Sequence, residues 1–244
     1  MKSKTALVTG ASSDIGLMTS EKLLDLGYQL ILISKNIQKI ENNHIFAGNN
    51  QKVEFIACDL TSLDSINELI THVKSKYNSL DLIINLAAIW HDENEAFFGK
   101  NLSTYSQKTI IDTYFVGIIA PTILINGLAN ILNPKSLVIN ISGTFENGAS
   151  GWIPYFVSKR AIEDLTVAIS TEFSKKNIYS LCISPSDTAT SPYRKFFPND
   201  IESAQDPSAI ASFIYELLND FDLNKNGQTY VIKKDKIPFI GFHH

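Results

Sequence analysis

The chain has few residues of several kinds that would mark a specialised function. Its two cysteines, Cys58 and Cys182, are too few for a disulfide framework, and nothing resembles metal-ligand spacing. Both cysteines lie in apolar runs, so we expect buried free thiols, a reducing compartment and no metal. Twenty-one basic residues are scattered among 25 acidic ones, and the net charge of −4 argues against a broad nucleic-acid surface.

The sequence also has no basic segment followed by a long apolar one at its start, so we expect cytoplasmic residence. One uncharged stretch, residues 113–134, approaches the length of a membrane span. Pro121, Asn126, Asn130 and two glycines interrupt it. The stretch therefore favours a helix buried between the sheet and a subunit partner, and no membrane partner is expected.

Strand-length apolar runs alternate with helix-length amphipathic segments along the 244 residues. This alternation predicts an α/β fold in which helices cover both faces of a parallel sheet. We predict one doubly wound Rossmann-type domain over residues 1–244, with an irregular substrate-binding loop at 185–207. The seven predicted strands are 6–9, 29–34, 53–58, 80–85, 136–142, 178–184 and 229–232.

A tyrosine and a lysine four residues apart, Tyr155 and Lys159, begin a predicted helix after Pro154. A cation at that spacing favours the phenolate, so we expect the pKa of Tyr155 to fall below its usual value of about 10. Tyr230 and Lys234 repeat the spacing in a predicted strand, where the two side chains would diverge. The spacing alone therefore does not identify a catalytic pair.

The segment after the first strand reads ThrGlyAlaSerSerAspIleGly from Thr9 to Gly16. A glycine-bearing turn between a strand and a helix lets the backbone approach a pyrophosphate, which the helix N-terminus then favours. Gly10 suits the turn and Gly16 suits close helix packing. Asp14 stands between them, where it either caps the helix or brings a carboxylate near the phosphates.

With AspLeu at 59–60, AsnLeuAlaAla at 85–88, Ser142, TyrPheValSerLys at 155–159 and ProSerAspThrAlaThr at 185–190, this turn resembles the short-chain dehydrogenase/reductase family over nearly the whole chain. The resemblance implies that Tyr155 is the general acid or base and that Lys159 lowers its pKa and binds the nicotinamide ribose. It implies that Ser142 holds the substrate oxygen, with a strand-end turn as the alternative. The implied cofactor-binding residues are Gly10, Ser12, Ser13, Asp14, Ile15, Gly16, Ser34, Lys35, Asp59, Leu60, Asn85, Ala87, Tyr155, Lys159, Pro185, Thr188 and Thr190.

The cofactor is predicted from the end of the second strand. A ribose 2′-hydroxyl needs an acidic acceptor there, whereas a 2′-phosphate needs a cation. SerLysAsn at 34–36 supplies Lys35 and no carboxylate. We therefore expect NADP(H), with NAD(H) as the alternative.

Five positions depart from the family pattern, and one of them is Asp14, which stands where a glycine would be expected. Tyr114 stands where the family has a relay Asn, so its hydroxyl either replaces the relay or the relay is broken. Leu86 and Ala88 replace an amide and a glycine, and Ser186 replaces a glycine. We accordingly predict an oxidoreductase that acts on a small carbonyl or alcohol, with a catalytically impaired dinucleotide-binding subunit as the alternative.

The 185–207 loop holds three aromatic residues beside a basic pair, Arg194 and Lys195. With Trp90 and Trp152 these residues would admit an apolar substrate that has an anionic end, although a mobile lid with surface cations explains them equally well. The aromatic residues of the loop are Tyr193, Phe196 and Phe197. By resemblance we expect a homodimer or homotetramer, with residues 113–134 as a contact.

Overall fold

One sheet of eight strands runs through the protein in the order β3-β2-β1-β4-β5-β6-β7-β8. The computed structural model describes residues 3–46, 48–49, 51–145 and 149–241, so the terminal histidines lie outside the described residues. The strands are β1 Thr5–Thr9, β2 Gln29–Ser34, β3 Val53–Ala57, β4 Leu80–Asn85, β5 Leu132–Ile141, β6 Tyr179–Pro185, β7 Thr229–Ile232 and β8 Phe239–Ile240.

Helices follow most of the strands and cover the sheet. They are α1 Asp14–Asp25, α2 Gln38–Glu41, α3 Leu63–Lys76, α4 Gln107–Tyr114, α5 Ala120–Leu128, α6 Ile153–Glu172, α7 Ser191–Phe196 and α8 Pro207–Asn219. A π-helical stretch, Phe115–Ile119, joins α4 to α5. The predicted α/β fold with a parallel sheet between helices is confirmed.

The strands are apolar throughout because both faces of the sheet are covered. Successive residues of β1 alternate between two core clusters: Ala6 and Val8 pack on one face and Leu7 on the other. All three side chains are fully buried. Cys58 and Cys182 are buried free thiols, as predicted.

Two strands differ from the prediction by more than one residue at an end. β8 is an eighth strand, antiparallel to β7 and only two residues long, which is too short to leave a sequence pattern. β5 begins at Leu132, four residues before the predicted start, because Leu80 of β4 pairs with Leu132 across a shift in register. The helix predicted over residues 113–134 therefore stops early, since α5 ends at Leu128.

The continuous helical segment Gln107–Ile131 is long and apolar enough to cross a membrane by length and composition. It is nevertheless a core helix of this fold, because Ala120, Leu124, Ile125 and Leu128 pack in the core cluster on one face of the sheet. Burial against the sheet thus explains the apolar character of its α5 part, whereas Ile111 and Ile119 are exposed.

The chain order reverses at β1, which pairs with β2 on one side and β4 on the other. Ligands of open parallel sheets bind in the crevice outside the carboxyl ends of the strands at such a reversal. The segments after β1, β4, β5 and β6 all meet at this edge, and the candidate site lies there.

Candidate active site

A cleft of about 930 Å³ opens at the carboxyl edge of the sheet. Gly10, Ser12, Ser13, Asp14 and Ile15 line one end of it. The remaining sequence-predicted residues that line it are Ala87, Ser142, Tyr155, Lys159, Pro185, Thr188 and Thr190. The topology therefore brings most of the predicted site together.

The turn between β1 and α1 requires its glycines. Gly10 has φ +68°, and a Cβ there would lie 2.8 Å from the backbone nitrogen of Ala87. A Cβ at Gly16 would lie 2.4 Å from the carbonyl oxygen of Gly10. Ser13 caps α1 by accepting a hydrogen bond from the backbone N–H of Gly16. A glycine turn beside a capped helix N-terminus is the geometry that fits a dinucleotide pyrophosphate.

Asp14 neither caps α1 nor stays free for a ligand. Its carboxylate accepts hydrogen bonds from the backbone N–H and, at 3.1 Å, the hydroxyl of Ser191. Ser191 begins α7 inside the loop predicted to bind substrate. Asp14 therefore ties the glycine turn to that loop.

The ends of β2 and β3 are joined by an ion pair. Lys35 Nζ lies 2.8 Å from Asp59 Oδ2, and the Lys35 side chain is 76% exposed. Burial alone would raise the pKa of Asp59, but hydrogen bonds from Lys35 and Thr61 outweigh it and lower the pKa to about 2. Ser34 also faces the turn, since its hydroxyl donates to Ser12 Oγ at 2.8 Å.

Six predicted cofactor-binding residues are not among the described residues that line the cleft, namely Gly16, Ser34, Lys35, Asp59, Leu60 and Asn85. Leu60 instead packs against the core cluster. The cation that does line this end is Lys39 in α2, which sequence reasoning missed. Lys39 lies on a four-residue helix, and no sequence motif marks it as a cofactor-binding residue.

The end of β4 is held by the backbone and by a buried amide chain. Thr9 Oγ1 accepts hydrogen bonds from the N–H groups of Leu86 and Ala87, at 3.2 and 3.4 Å. Asn85 lies beneath the cleft rather than in it, because its Nδ2 donates to Asn140 Oδ1 at 2.8 Å. Its own Oδ1 is buried and has no partner among the described residues. The structure thus gives Asn85 an internal role and leaves Ala87 at the cleft.

Tyr155 and Lys159 lie in the first two turns of α6, which begins with Ile153 and Pro154 as the sequence predicts. Lys159 Nζ lies 5.3 Å from the centroid of the Tyr155 ring and donates to the carbonyl oxygen of Ile141 at 2.7 Å. Lys159 is buried, and burial lowers its pKa to about 8 against opposing effects of Cys182 and Glu163.

The expectation that the cation lowers the pKa of Tyr155 is not met in this structure. Burial of the phenol raises its pKa, and the nearby carboxylate of Asp187 raises it further. Asp187 was missed by the sequence analysis although it stands inside the ProSerAspThrAlaThr motif. At neutral pH, Tyr155 is therefore held in the protonated form that a general acid needs.

Ser142 does not present its hydroxyl to Tyr155. Ser142 Oγ lies 2.9 Å from the carbonyl oxygen of Lys159 and 2.7 Å from Oε1 of the fully buried Glu163, and both compete for its one proton. The position that faces the phenol is Gly143, because a Cβ there would lie 3.9 Å from Tyr155 Oη. Ser142 and Gly143 are neighbours at the end of a strand, where successive residues point to opposite sides. The serine hydroxyl is therefore directed away from the phenol. Thr144, which has no predicted role, lines the cleft one residue later.

Tyr114 is the last residue of α4, directly before the π-helical stretch. It is not among the described residues that line the cleft, and no hydrogen bond of its hydroxyl is seen in the described part of the chain. The close helix packing next to Tyr114 involves Gly117 rather than the tyrosine hydroxyl, because a Cβ at Gly117 would lie 2.6 Å from that of Ser158. The relay role predicted for Tyr114 has no contact to support it.

Thr188 and Thr190 border the cleft after β6, but their hydroxyls are used locally. Thr188 Oγ1 donates to the carbonyl oxygen of Ser186 at 2.8 Å. Thr190 caps α7 by accepting a hydrogen bond from the N–H of Tyr193. Thr190 is thus the N-cap of α7.

The second tyrosine-lysine pair is confirmed as a coincidence of spacing. Tyr230 lies in β7, and its ring packs 5.4 Å from that of Phe213. Lys234 follows the strand, is exposed and donates to the carbonyl oxygen of Glu202. Neither residue lines the cleft.

Comparisons with known proteins agree with this fold. A sequence 26% identical over 220 residues, an uncharacterised oxidoreductase of Staphylococcus saprophyticus, covers 84% of this chain and 90% of its own. The fold is similar to 4-hydroxyisoleucine dehydrogenase complexed with NADH, with TM-score 0.81, 23% identity and coverage of 94% and 97% of the two chains. It is also similar to a Burkholderia cenocepacia short-chain dehydrogenase in complex with NADP, with TM-score 0.82, 17% identity and coverage of 94% and 96%.

The family model described as short chain dehydrogenase matches residues 4–201, which include the glycine turn, Tyr155, Lys159 and the segment after β6. Most of the chain is thus accounted for by one family. The chain belongs to the short-chain dehydrogenase family and is an NAD(P)-dependent oxidoreductase.

Proposed function

We propose that the protein transfers a hydride between NADP(H) and a small carbonyl or secondary alcohol, with Tyr155 as general acid or base. The observation that carries the proposal is the cleft itself. It has a glycine turn suited to a pyrophosphate at one end and a protonated phenol beside a buried lysine at the other. A bound nicotinamide supplies the hydride to the carbonyl carbon.

The protein's own part in reduction is the proton. Tyr155 donates its phenolic proton to the carbonyl oxygen, and in oxidation it accepts the proton of the alcohol. The Lys159 cation stands one turn away and stabilises the phenolate that donation leaves. It also supplies a donor for the ribose of the cofactor. Because Ser142 is occupied by Glu163, we assign the orienting hydroxyl to Thr144.

Replacement of Tyr155 by Phe tests the proposal. We expect turnover of a carbonyl panel to fall by about a hundredfold or more, while NADPH affinity, measured by quenching of NADPH fluorescence, stays unchanged. Tyr230→Phe is the matched control, because it removes the hydroxyl of the other tyrosine-lysine pair. Equal turnover in Tyr155→Phe and Tyr230→Phe would exclude Tyr155 as the acid.

The preference for NADP(H) rests on two cations. Lys35 lies at the end of β2 and Lys39 lines the adjoining cleft, whereas Asp59 is already bound by Lys35. This arrangement favours a 2′-phosphate, because Lys35 can leave the Asp59 carboxylate and bind the phosphate instead. We expect the Lys35→Ala/Lys39→Ala variant to lose NADPH affinity at least tenfold and to keep its NADH affinity. Equal losses for both cofactors would assign the cations to a general role.

A second candidate is a dinucleotide-binding subunit without turnover. It is favoured by Gly143, which leaves no side-chain hydroxyl at the position that faces Tyr155. NADPH binding without turnover of any carbonyl would support this candidate.

Self-association is also proposed. Four large apolar side chains on α4, the adjoining π-helical stretch and α6 are exposed: Ile111, Ile119, Val157 and Val167. They leave an uncovered apolar face. A homodimer or homotetramer would cover it, and light scattering of the purified protein tests this. Cytoplasmic residence stays a prediction.

A further inference from the structure

Aromatic rings wall the part of the cleft beyond Tyr155. The ring of Trp152 has its centroid 5.9 Å from that of Tyr155 and 6.2 Å from that of Trp90. Phe197 stacks 6.3 Å from Trp90 and lies 5.0 Å from Tyr193. We call these five residues the aromatic wall. Each of them lines the cleft.

Carboxylates lie beside this wall. Asp187 and Asp200 both line the cleft. The Tyr193 hydroxyl donates a hydrogen bond to Asp187. Burial first, then the charges of Asp187 and Asp200, raise the pKa of Tyr193, and Asp187 also raises that of Tyr155. The negative charge of Asp187 therefore acts on both phenols, and that of Asp200 acts on Tyr193.

The basic pair of the loop does not oppose this field from within the cleft. Arg194 Nε donates to the carbonyl oxygen of Ala189 at 3.0 Å, and Lys195 Nζ donates to that of Glu93 at 2.5 Å. Neither lines the cleft, and His91, which does, donates its Nδ1 hydrogen to the carbonyl oxygen of Asp92. Among the described residues, the lysines that line the cleft are Lys39, near the glycine turn, and the buried Lys159, which donates to the carbonyl oxygen of Ile141. Within that part of the chain, no further lysine or arginine lines the cleft to meet the anionic substrate end that the sequence suggested.

We propose that the substrate is a small ketone or secondary alcohol that carries a cationic nitrogen, an ammonium or quaternary ammonium group. The cation lies against the aromatic wall, where the faces of tryptophan and tyrosine rings attract it, and Asp187 balances its charge. The carbonyl or hydroxyl oxygen lies at Tyr155. The inference rests on the proposed function, because it names the substrate class of the same site.

The cationic nitrogen takes no part in the chemistry. In reduction, the hydride forms the new C–H bond at the carbonyl carbon, the Tyr155 proton forms the O–H bond, and NADPH is oxidised to NADP⁺. The nitrogen keeps its charge throughout. It only positions the reacting carbon, so its contribution appears as affinity.

The two tryptophans of the chain both belong to the aromatic wall, so tryptophan fluorescence reports on this half of the cleft. Three probes of equal length are titrated into the NADP⁺-saturated protein: methyl ketones that end in trimethylammonium, in tert-butyl and in carboxylate. We expect the trimethylammonium ketone to bind about tenfold more tightly than the tert-butyl ketone, and the carboxylate ketone to bind most weakly.

Asp187→Asn should remove most of the tenfold preference and leave the affinity for the tert-butyl ketone unchanged. Asp64→Asn, at an exposed position in the first turn of α3, is the matched control and should keep the preference. Equal or tighter binding of the neutral or anionic ketone, or no response to any probe, would overturn the inference. Failure of the proposed function would give a different result from failure of this inference: the trimethylammonium ketone would still bind selectively, but NADPH would not be consumed with any of the ketones.

Discussion

Replacement of Lys159 by Met should stabilise the protein at neutral pH while it abolishes activity. Lys159 is 3% exposed, and burial lowers its pKa from the ordinary value of 10.5 to about 8. That difference corresponds to about 3 kcal/mol of folding free energy lost wherever the lysine is charged, since one pKa unit is about 1.4 kcal/mol. The lost hydrogen bond to Ile141 costs about 1 kcal/mol. The substitution would thus add about 2 kcal/mol of stability.

The gain must depend on pH in one direction. Below about pH 8, Lys159 is charged in both the native and the unfolded chain, so the full cost of burying the charge is present. Between about pH 8 and 10.5 the native state has released the proton and the unfolded chain still holds it, so the wild type gains stability as pH rises. The advantage of the variant should therefore shrink through this window and change sign near about pH 10.

Thermal unfolding measures the effect. For a chain of this size, about 2 kcal/mol raises Tm by about 4 to 8 °C near neutral pH, and the difference should approach zero near about pH 10. Lys234→Met, the same substitution on the exposed lysine of the second pair, should give little change at either pH. A Lys159→Met variant that is less stable than wild type near neutral pH, or a Tm difference that is constant with pH, would refute the reasoning.

Three further predictions follow from single contacts. Ser142→Ala should lower Tm, because it removes a buried hydrogen-bond donor to Glu163 worth about 1 to 3 kcal/mol. Thr144→Val should instead lower kcat and leave Tm nearly unchanged. The reverse pattern in melting and steady-state assays would return the orienting role to Ser142. Gly16→Ala should weaken NADPH binding at least tenfold in a fluorescence titration, because the added Cβ would meet the Gly10 carbonyl oxygen. Gly27→Ala is the control and should leave NADPH affinity intact, because a Cβ there meets nothing within 4 Å. Equal affinities of the two variants would contradict the close approach of α1 to the glycine turn. Gly117→Ala should lower Tm by several degrees, since overpacking against Ser158 costs about 1 to 3 kcal/mol, and an unchanged melting temperature would show that the two helices separate at no cost.

The sequence predicted the sheet well because doubly covered parallel strands are continuous apolar runs, which end where turns begin. Gln29–Ser34, Leu80–Asn85 and Thr229–Ile232 have the predicted bounds. The early start of β5 was hidden, since Leu132 pairs with Leu80 only through tertiary contact. Asn133 and Pro134 beside it do not read as a strand interior. Local propensity cannot report such pairing.

The site was predictable to the extent that its residues act through the backbone. Gly10 and Gly16 follow from the space that a turn leaves. Tyr155 with Lys159 follows from helical spacing only in combination with the family motifs around it, since Tyr230 and Lys234 have the same spacing. Asp187 and Lys39 had no such rule, because their importance depends on which other segments the fold brings to the same cleft. The side of a strand end on which a hydroxyl emerges is likewise a property of three-dimensional structure.

The contrast between Ser142 and Gly143 shows why residue spacing is weaker evidence than orientation. Ser142 stands thirteen residues before Tyr155, as the resemblance requires, yet its hydroxyl donates into the buried network of Glu163 and Lys159. That network fixes the turn of α6 on which Lys159 lies, so the serine supports the lysine rather than the substrate. In the proposed mechanism, Tyr155 depends on Thr144 to orient the substrate oxygen and on the aromatic wall to hold the rest of the molecule. A site with fewer groups on the reacting oxygen must draw more of its substrate alignment from binding elsewhere in the cleft.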